Sequence, residues 1–232
     1  MGLQSDEPLK PLVRQPPARL RVAPPGSAAG ARGVHEDEIG GPAKMVERMP
    51  FLAGVEQASL RARFSTPRTI VRAMPNTPVR LGKGVVDLFS DSDDEGARET
   101  VGGLMGCLGH AEWFQDEASF ALAGHLTGAG PAFLFRFIDA LAEAAEELGL
   151  PAPQAARLAA AMVEGAGALA AASDVSPGEL ARRVASPGGT TEAGLKVLDD
   201  GDALRALVLE TLDASRRRGR ELAEAARQAR LD

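Results

Sequence analysis

The sequence predicts an incomplete α/β layer followed by an all-α region, and three observations support this prediction. Apolar runs of strand length occur only within residues 51–115, and they are too few for a complete doubly wound sheet. After about Gln115 the apolar residues recur at helical spacing. Residues 1–50 hold eight of the sixteen prolines and show neither a helical nor a strand periodicity of apolar residues. This predicts a disordered or non-homologous segment.

The composition is typical of a globular protein that binds small molecules or other proteins. Of the 232 residues, 44% are hydrophobic, and the net charge of −6 disfavours nucleic acid as a partner. No apolar run approaches the roughly 20 residues that span a bilayer, and no signal peptide is evident, so a cytoplasmic location is expected. The single cysteine, Cys107, cannot form an internal disulfide and is expected to be a small buried side chain.

Local signals predict each element of the α/β layer in order. A short helix is expected over 58–64. Strands are expected over 69–74, 84–90 and 112–114. Between the second and third strands, the acidic run 91–95 suits the first turn of a helix that Gly109 closes. The apolar positions of that helix are Val101, Leu104, Met105 and Leu108.

The region after Gln115 is predicted to consist of helices separated by glycine and proline breaks. Helices are expected over 118–126, from Pro131 to about 148, over 152–172, over 179–184 and over 202–229. On the second of these helices the predicted buried side chains are Phe133, Leu134, Phe137, Ile138 and Leu141. The helix over 152–172 has almost no polar face, which indicates burial against several helices or against a second subunit. The arginines of the last helix, Arg216, Arg217, Arg218 and Arg220, are interpreted as a solvated face.

The segment 186–195, Ser-Pro-Gly-Gly-Thr-Thr-Glu-Ala-Gly-Leu, joins a glycine turn to the start of a helix. The first N–H groups of a helix carry a partial positive charge, and the two glycines allow a ligand to approach the main chain. The segment is therefore either an ordinary helix start or a binding site for a small anion such as a carboxylate.

Together with two other segments, this loop resembles the pyrroline-5-carboxylate reductase family. The other segments are Met-Pro-Asn-Thr-Pro at 74–78 and Leu-Thr-Gly-Ala-Gly-Pro-Ala-Phe at 126–133, and the resemblance covers about 59–222. It implies an α/β remnant of a Rossmann domain over 51–115, followed by an all-α substrate-binding and dimerisation domain over 116–232. The implied reaction reduces 1-pyrroline-5-carboxylate to L-proline with NADPH or NADH, in a homodimer or larger homo-oligomer that uses no metal.

The resemblance also implies roles for individual residues. The substrate carboxylate is expected on the N–H groups of Gly189, Thr190 and Thr191, and the Thr191 hydroxyl is expected to face the ring nitrogen as the catalytic group. Ser186 and Gly188 complete the substrate-binding residues, with Ser186 shaping the loop. Asn76 and Thr77, which follow a strand, are expected beside the nicotinamide.

One expected feature of the family is missing from the sequence. No Gly-x-Gly-x-x-Gly turn follows an apolar strand, so the pyrophosphate of a dinucleotide lacks its usual cradle. Two explanations stay open: a damaged reading frame or gene start upstream of about Phe51, or a non-catalytic dimerisation or regulatory protein. Translation of the upstream DNA in all frames would distinguish them.

The three histidines are interpreted as structural or solvated. His35 lies in the segment without periodicity, and His110 and His125 have no cysteine or carboxylate at metal-ligand spacing. His125 nevertheless departs from the small or apolar residue that the family resemblance implies at that position.

Overall fold

The computed structural model describes residues 55–64 and 66–228, so the prediction for residues 1–50 lies outside the described part of the chain. Its first part contains two α-helices, three strands and a short 3-10 helix. These elements are α1 (Gln57–Arg63), β1 (Arg72–Pro75), the 3-10 helix Thr77–Leu81, β2 (Gly84–Phe89), α2 (Glu95–Gly106) and β3 (Gly109–Trp113).

The three strands form one sheet in the order β1-β2-β3. The first pair is antiparallel, with Met74 opposite Asp87, and the second pair is parallel, with Asp87 opposite Glu112. The parallel pair is joined by α2, as a crossover connection requires. The three predicted strands are confirmed, although β3 begins at Gly109, where the sequence signal suggested only a helix end.

One face of the sheet carries the apolar core. Val86 and Leu88 of β2 are fully buried and pack against α2. From α2 the side chains of Val101 and Met105 enter this core, as their spacing predicted. Leu104 is instead 55% exposed, because it points away from the sheet on the solvent side of the helix. The prediction for Leu104 is therefore wrong.

The opposite face of the sheet is covered by the first helix of the all-α region. The elements of that region are α3 (Glu117–Thr127), α4 (Gly130–Glu147), α5 (Ala152–Ala172), α6 (Pro177–Val184), α7 (Thr190–Asp199), the 3-10 helix Asp200–Asp202 and α8 (Ala203–Gln228). The predicted helices are confirmed, including the cap of α6, where the Ser176 hydroxyl accepts from the Glu179 N–H at 3.3 Å.

Close packing of α3 on the sheet depends on a glycine. A Cβ atom at Gly124 would lie 2.2 Å from the Met74 Cε atom of β1. Beside this contact the guanidinium of Arg72 is paired with Glu117 and lies 4.5 Å from the centre of the Phe120 ring. These contacts fix α3, and with it the start of α4, relative to the ends of the strands.

The apolar faces of α4 and α5 are largely uncovered within one chain. On α4, Leu134 is 46% and Phe137 is 44% exposed, so the predicted burial of this side is wrong for a single chain. The reason is that α4 packs mainly against α5, and Ala155 is the only buried residue described on α5. By length and composition alone, the 21-residue helix α5 could also span a membrane. Core helices of soluble proteins meet the same two criteria. The apolar run of α5 contradicts the expectation that no such run exists.

The expectation for Cys107 is also wrong. This residue follows α2 at its C-terminal end, and its thiol is exposed. Leu108 alone separates Cys107 from the start of β3, and Cys107 lies on the solvent side of the helix end.

Candidate active site

The side chain of Asn76 joins two of the three sequence motifs. Its Nδ2 donates to the carbonyl of Thr127 at the end of α3, at 2.9 Å, and its Oδ1 accepts from the N–H of Val85, also at 2.9 Å. The backbone N–H of Asn76 donates to the Val85 carbonyl at 3.1 Å. Asn76 therefore fastens the end of β1 to the break between α3 and α4, and Thr77 next to it is exposed.

A buried carboxyl group contacts the same break. Asp87 of β2 is 0% exposed, and its Oδ2 is hydrogen-bonded to the hydroxyl of Thr127. Burial raises the pKa of Asp87 above its usual range, and this outweighs the opposite effect of the Thr127 hydrogen bond. The sequence interpretation did not identify Asp87, although an acidic residue within an apolar strand was a visible signal.

The loop before α7 has the backbone that its glycines predicted. Gly188 has a φ of +71°, and the N–H of Gly189 donates to the Ser186 carbonyl at 2.9 Å. Thr190 and Thr191 are the first two residues of α7, and both are exposed. Because the first N–H groups of a helix have no preceding turn to donate to, those of Thr190 and Thr191 can receive an anion. The Gly189 N–H, which was expected to join them, is engaged within the loop.

A carboxylate of the chain itself lies at this helix start. The Glu192 Oε2 accepts from the Gly188 N–H at 2.6 Å, and its Oε1 is 3.1 Å from the Nζ of Lys196. The hydrogen bond from Gly188, followed by the one from Lys196, lowers the pKa of Glu192 below its usual range. The sequence interpretation missed this contact, although a glutamate in the first turn, four residues before a lysine, was the available signal.

The third motif is not joined to the first two within a single chain. Among the residues that the structure describes, no hydrogen bond or ion pair connects 186–191 with Asn76 or Thr77. The structure thus brings Asn76 and Thr127 together and leaves the loop before α7 exposed.

Two of the histidines lie in different environments. His110 is exposed, in agreement with its interpretation as a solvated residue, and its Nε2 lies 2.8 Å from the Oε2 of Glu112 on the same side of β3. His125 lies between α3 and α8, with its Nδ1 3.1 Å from the Ser215 hydroxyl. Burial, together with the nearby Arg216, lowers the pKa of His125. Within 55–64 and 66–228, no three histidine, cysteine, aspartate or glutamate side chains are grouped to hold a metal ion.

A cleft of about 980 Å³ lies between β1, α3 and the C-terminal half of α8. Its walls include Arg72, His125 and Arg220, as well as Glu117 and Glu224. None of the predicted site residues lines it, although Met74 of the Met-Pro-Asn-Thr-Pro motif does.

Comparison with known proteins identifies relatives for most of the described chain. Residues 117–222 match the family model for pyrroline-5-carboxylate reductase dimerisation. The pyrroline-5-carboxylate reductase of Pseudomonas aeruginosa is 41% identical over 173 residues, which are 74% of this chain and 63% of that protein. The chain therefore spans less than two thirds of the length of this relative.

Solved structures agree with this similarity. A pyrroline-5-carboxylate reductase from Coxiella burnetii is 35% identical, with a TM-score of 0.71 that covers 75% of this chain and 64% of that chain. The Plasmodium falciparum pyrroline carboxylate reductase, solved with NADP bound, is 23% identical with a TM-score of 0.67 over 75% of this chain and 69% of that chain, and shows the fold alone. The predicted fold class, part of a Rossmann domain followed by an all-α dimerisation domain, is confirmed.

Proposed function

Because residues 117–222 match the family model for pyrroline-5-carboxylate reductase dimerisation, we propose that this chain is a member of that reductase family and that it reduces 1-pyrroline-5-carboxylate to L-proline with a hydride from NADPH or NADH. The observation that carries the proposal is the family match over residues 117–222, which includes the whole loop and helix start at 186–195. The proposed domains are a partial nucleotide-binding domain over 51–115 and a substrate-binding and dimerisation domain over 116–232. We also propose a homodimer or larger homo-oligomer and a cytoplasmic location.

The substrate carboxylate is proposed to bind at the start of α7. The N–H groups of Thr190 and Thr191 point out of the first turn, where the helix dipole favours a negative charge. Gly188 and Gly189 keep side chains away from this position, and the Ser186 carbonyl holds the turn through Gly189. The Thr191 hydroxyl is then within the same turn as the bound carboxylate and can donate a hydrogen bond to the ring nitrogen.

The chemical step converts the C=N bond of the imine to a single bond. Hydride adds to the ring carbon and a proton from water adds to the nitrogen, so a hydrogen bond at the nitrogen and a fixed ring orientation lower the barrier. A nicotinamide cofactor supplies the hydride when bound. Asn76 and Thr77 are proposed to border it, with Asn76 held rigid by its bonds to Val85 and Thr127.

The described residues fit one end of such a cofactor. The exposed Thr77 and the anchored Asn76 directly follow β1, which runs antiparallel to β2, so they lie beside the start of β2. Within 55–64 and 66–228, no strand is followed by a Gly-x-Gly-x-x-Gly turn, so this part of the chain supplies no cradle for the pyrophosphate.

The decisive experiment measures NADPH and NADH oxidation with 1-pyrroline-5-carboxylate. We expect turnover by the parent chain, and a loss of about a hundredfold in kcat/KM for Thr191→Ala, since one hydrogen-bond donor to the reacting group is removed. Thr100→Ala is the matched control, because the Thr100 hydroxyl is exposed and donates to the Gly96 carbonyl of its own helix. Equal kcat/KM in Thr191→Ala and parent would contradict the site. A dimer without turnover would support a non-catalytic role.

A further inference from the structure

The side chain of Asp87 is the one fully buried carboxyl group in the described part of the chain. It extends from β2 toward α3, on the sheet face opposite the apolar core. Its Oδ2 bonds with the Thr127 hydroxyl, while its Oδ1 has no hydrogen-bond partner within 55–64 and 66–228. No lysine or arginine forms an ion pair with it among the described residues. An ionised carboxylate in this position would be an uncompensated buried charge.

The number of protons available for the two contacts of the Thr127 hydroxyl indicates whether Asp87 is protonated. The Thr127 hydroxyl lies within hydrogen-bond distance of two oxygens, the Asp87 Oδ2 and the Ala123 carbonyl, the latter at 3.0 Å. A hydroxyl group has a single proton to donate. If Asp87 is ionised, only one of these two contacts can be a hydrogen bond. If Asp87 is protonated, it donates to Thr127, and Thr127 donates to Ala123.

We propose that Asp87 is a positioning residue, which in its protonated form donates a hydrogen bond to Thr127 and fixes the break between α3 and α4 to β2. The same break accepts the hydrogen bond from Asn76, so the two bonds hold Thr127 by its side chain and by its backbone. Through Asn76, this arrangement also positions the border of the cofactor site. That consequence rests on the proposed function, in which Asn76 and Thr77 border the nicotinamide. The protonation of Asp87 itself does not depend on that function.

The groups that face Asp87 favour the protonated form on balance. Burial is the largest influence and raises its pKa, and the negative charge of Glu112 on β3 raises it further. The hydrogen bond from Thr127 on α3 and the charge of His110 on β3 lower it. On β1, the residue paired with Asp87 is Met74, whose side chain is apolar. The net pKa is raised above the usual value for an aspartate.

The pH dependence of stability follows from this direction. A carboxyl group whose pKa is raised in the folded state holds its proton more tightly there than in the unfolded chain. The free energy of unfolding therefore decreases as the pH rises from the ordinary aspartate pKa through the raised one. This loss of stability reflects the burial of a negative charge. It also reflects the loss of one of two hydrogen bonds, either the one between Asp87 and Thr127 or the one from Thr127 to the Ala123 carbonyl.

Two measurements on the full chain test the protonation without any need for activity. The first is an NMR titration of the Asp87 side-chain carboxyl carbon, assigned by comparison with Asp87→Asn, and a pKa above the usual aspartate range is expected. The second is the pH dependence of urea unfolding. In Asp87→Asn, whose amide can donate to Thr127, the free energy of unfolding is expected to decrease less steeply with rising pH than in the parent. Asp93→Asn, at an exposed position, is the control and is expected to keep the parent's pH dependence. An ordinary or lowered pKa of Asp87 overturns the proposal.

A third measurement tests the positioning role. Asp87→Ala is expected to raise the KM for NADPH several-fold more than it lowers kcat, and Asp87→Asn is expected to restore most of the KM. Circular dichroism shows whether each variant folds, and an unchanged KM in a folded Asp87→Ala variant contradicts the positioning role. If the parent chain has no turnover, the proposed function fails, while the titration still decides the protonation of Asp87.

Discussion

Gly109, at the start of β3, has both a backbone conformation and surroundings that exclude a side chain. Its φ is +139°, and a Cβ atom there would lie 2.1 Å from the carbonyl oxygen of Gly84, its partner in the parallel pair. Both strands begin at this point of contact. The close approach therefore fixes the register that places Asp87 opposite Glu112.

We expect Gly109→Ala to reduce the free energy of unfolding by about 3 kcal/mol, the upper end of the cost of one strained residue. Gly103→Ala is the matched control, because Gly103 lies in α2 with no atom within 4 Å of the added Cβ. This control should stabilise the chain by up to about 1 kcal/mol, since alanine has the higher helix propensity. Urea unfolding measures both changes, and equal stability of the two variants would contradict the close contact at Gly109.

At the level of the elements, the start of α7 is held by Glu192. The bond from the Gly188 N–H to its carboxylate is expected to protect that amide from hydrogen exchange. The pKa of Glu192 is lowered, so the bond is present above the ordinary glutamate pKa and is lost as the pH falls through the lowered value.

We predict faster exchange of the Gly188 amide in Glu192→Ala than in the parent, by NMR above the ordinary glutamate pKa, after correction for intrinsic rates. Glu221→Ala serves as the control, because Glu221 pairs with Arg218 on α8 and not with the loop. The difference between parent and Glu192→Ala should shrink as the pH falls through the lowered pKa of Glu192. Identical exchange of Gly188 in the two chains at every pH would contradict the capping role.

The contact between α3 and α8 depends on another small residue. A Cβ atom at Gly219 would lie 2.6 Å from the His125 ring, which also contacts Ser215 one turn earlier on α8. His125 thus has a packing role between two helices, consistent with its interpretation as a structural residue.

Gly219→Ala is expected to destabilise the chain by about 1 to 3 kcal/mol, as overpacking usually does. In a His125→Ala background the same substitution should cost much less, because the ring that it meets is absent. Thermal unfolding of the four chains gives the coupling between the two sites. Additive effects would show that the ring and Gly219 are not in contact.

At the scale of the whole molecule, the uncovered apolar faces of α4 and α5 offer a surface for the proposed second subunit. Leu158 and Met162 lie one turn apart on α5 and are 52% and 51% exposed. Apolar surface of this extent on adjacent helices is typical of a subunit interface. The family match over residues 117–222, which is described as a dimerisation region, agrees with this interpretation.

The parent chain is expected to be a homodimer or larger oligomer by light scattering. Replacing Leu158 and Met162 together by glutamate should shift it to the monomer, since four buried charges would face each other across a symmetric interface. Leu81→Glu, at a position 79% exposed in the 3-10 helix after β1, is the control and should leave the mass unchanged. A monodisperse parent monomer would contradict the proposed assembly.

The sequence by itself determined the kinds of elements, their order and the family resemblance. The bounds 152–172 of α5, the serine cap of α6 and the glycine turn before α7 follow from periodicity, capping and backbone preference, which depend on residues a few positions apart. The three motifs that carry the family resemblance are equally local. Local rules also placed Thr190 and Thr191 at a helix start without any knowledge of the tertiary structure.

Only the tertiary structure decided which residues meet. Asn76 and Thr127 are 51 positions apart, and Thr127 and Asp87 are 40 apart, so their contacts depend on how α3 packs against the sheet. The exposure of Leu104 and Cys107, and of the α4 side predicted to be buried, likewise depends on which neighbours cover each face. The helix start at 186–191 remains exposed for the same reason: periodicity shows which residues share a face, whereas packing decides what, if anything, lies against it.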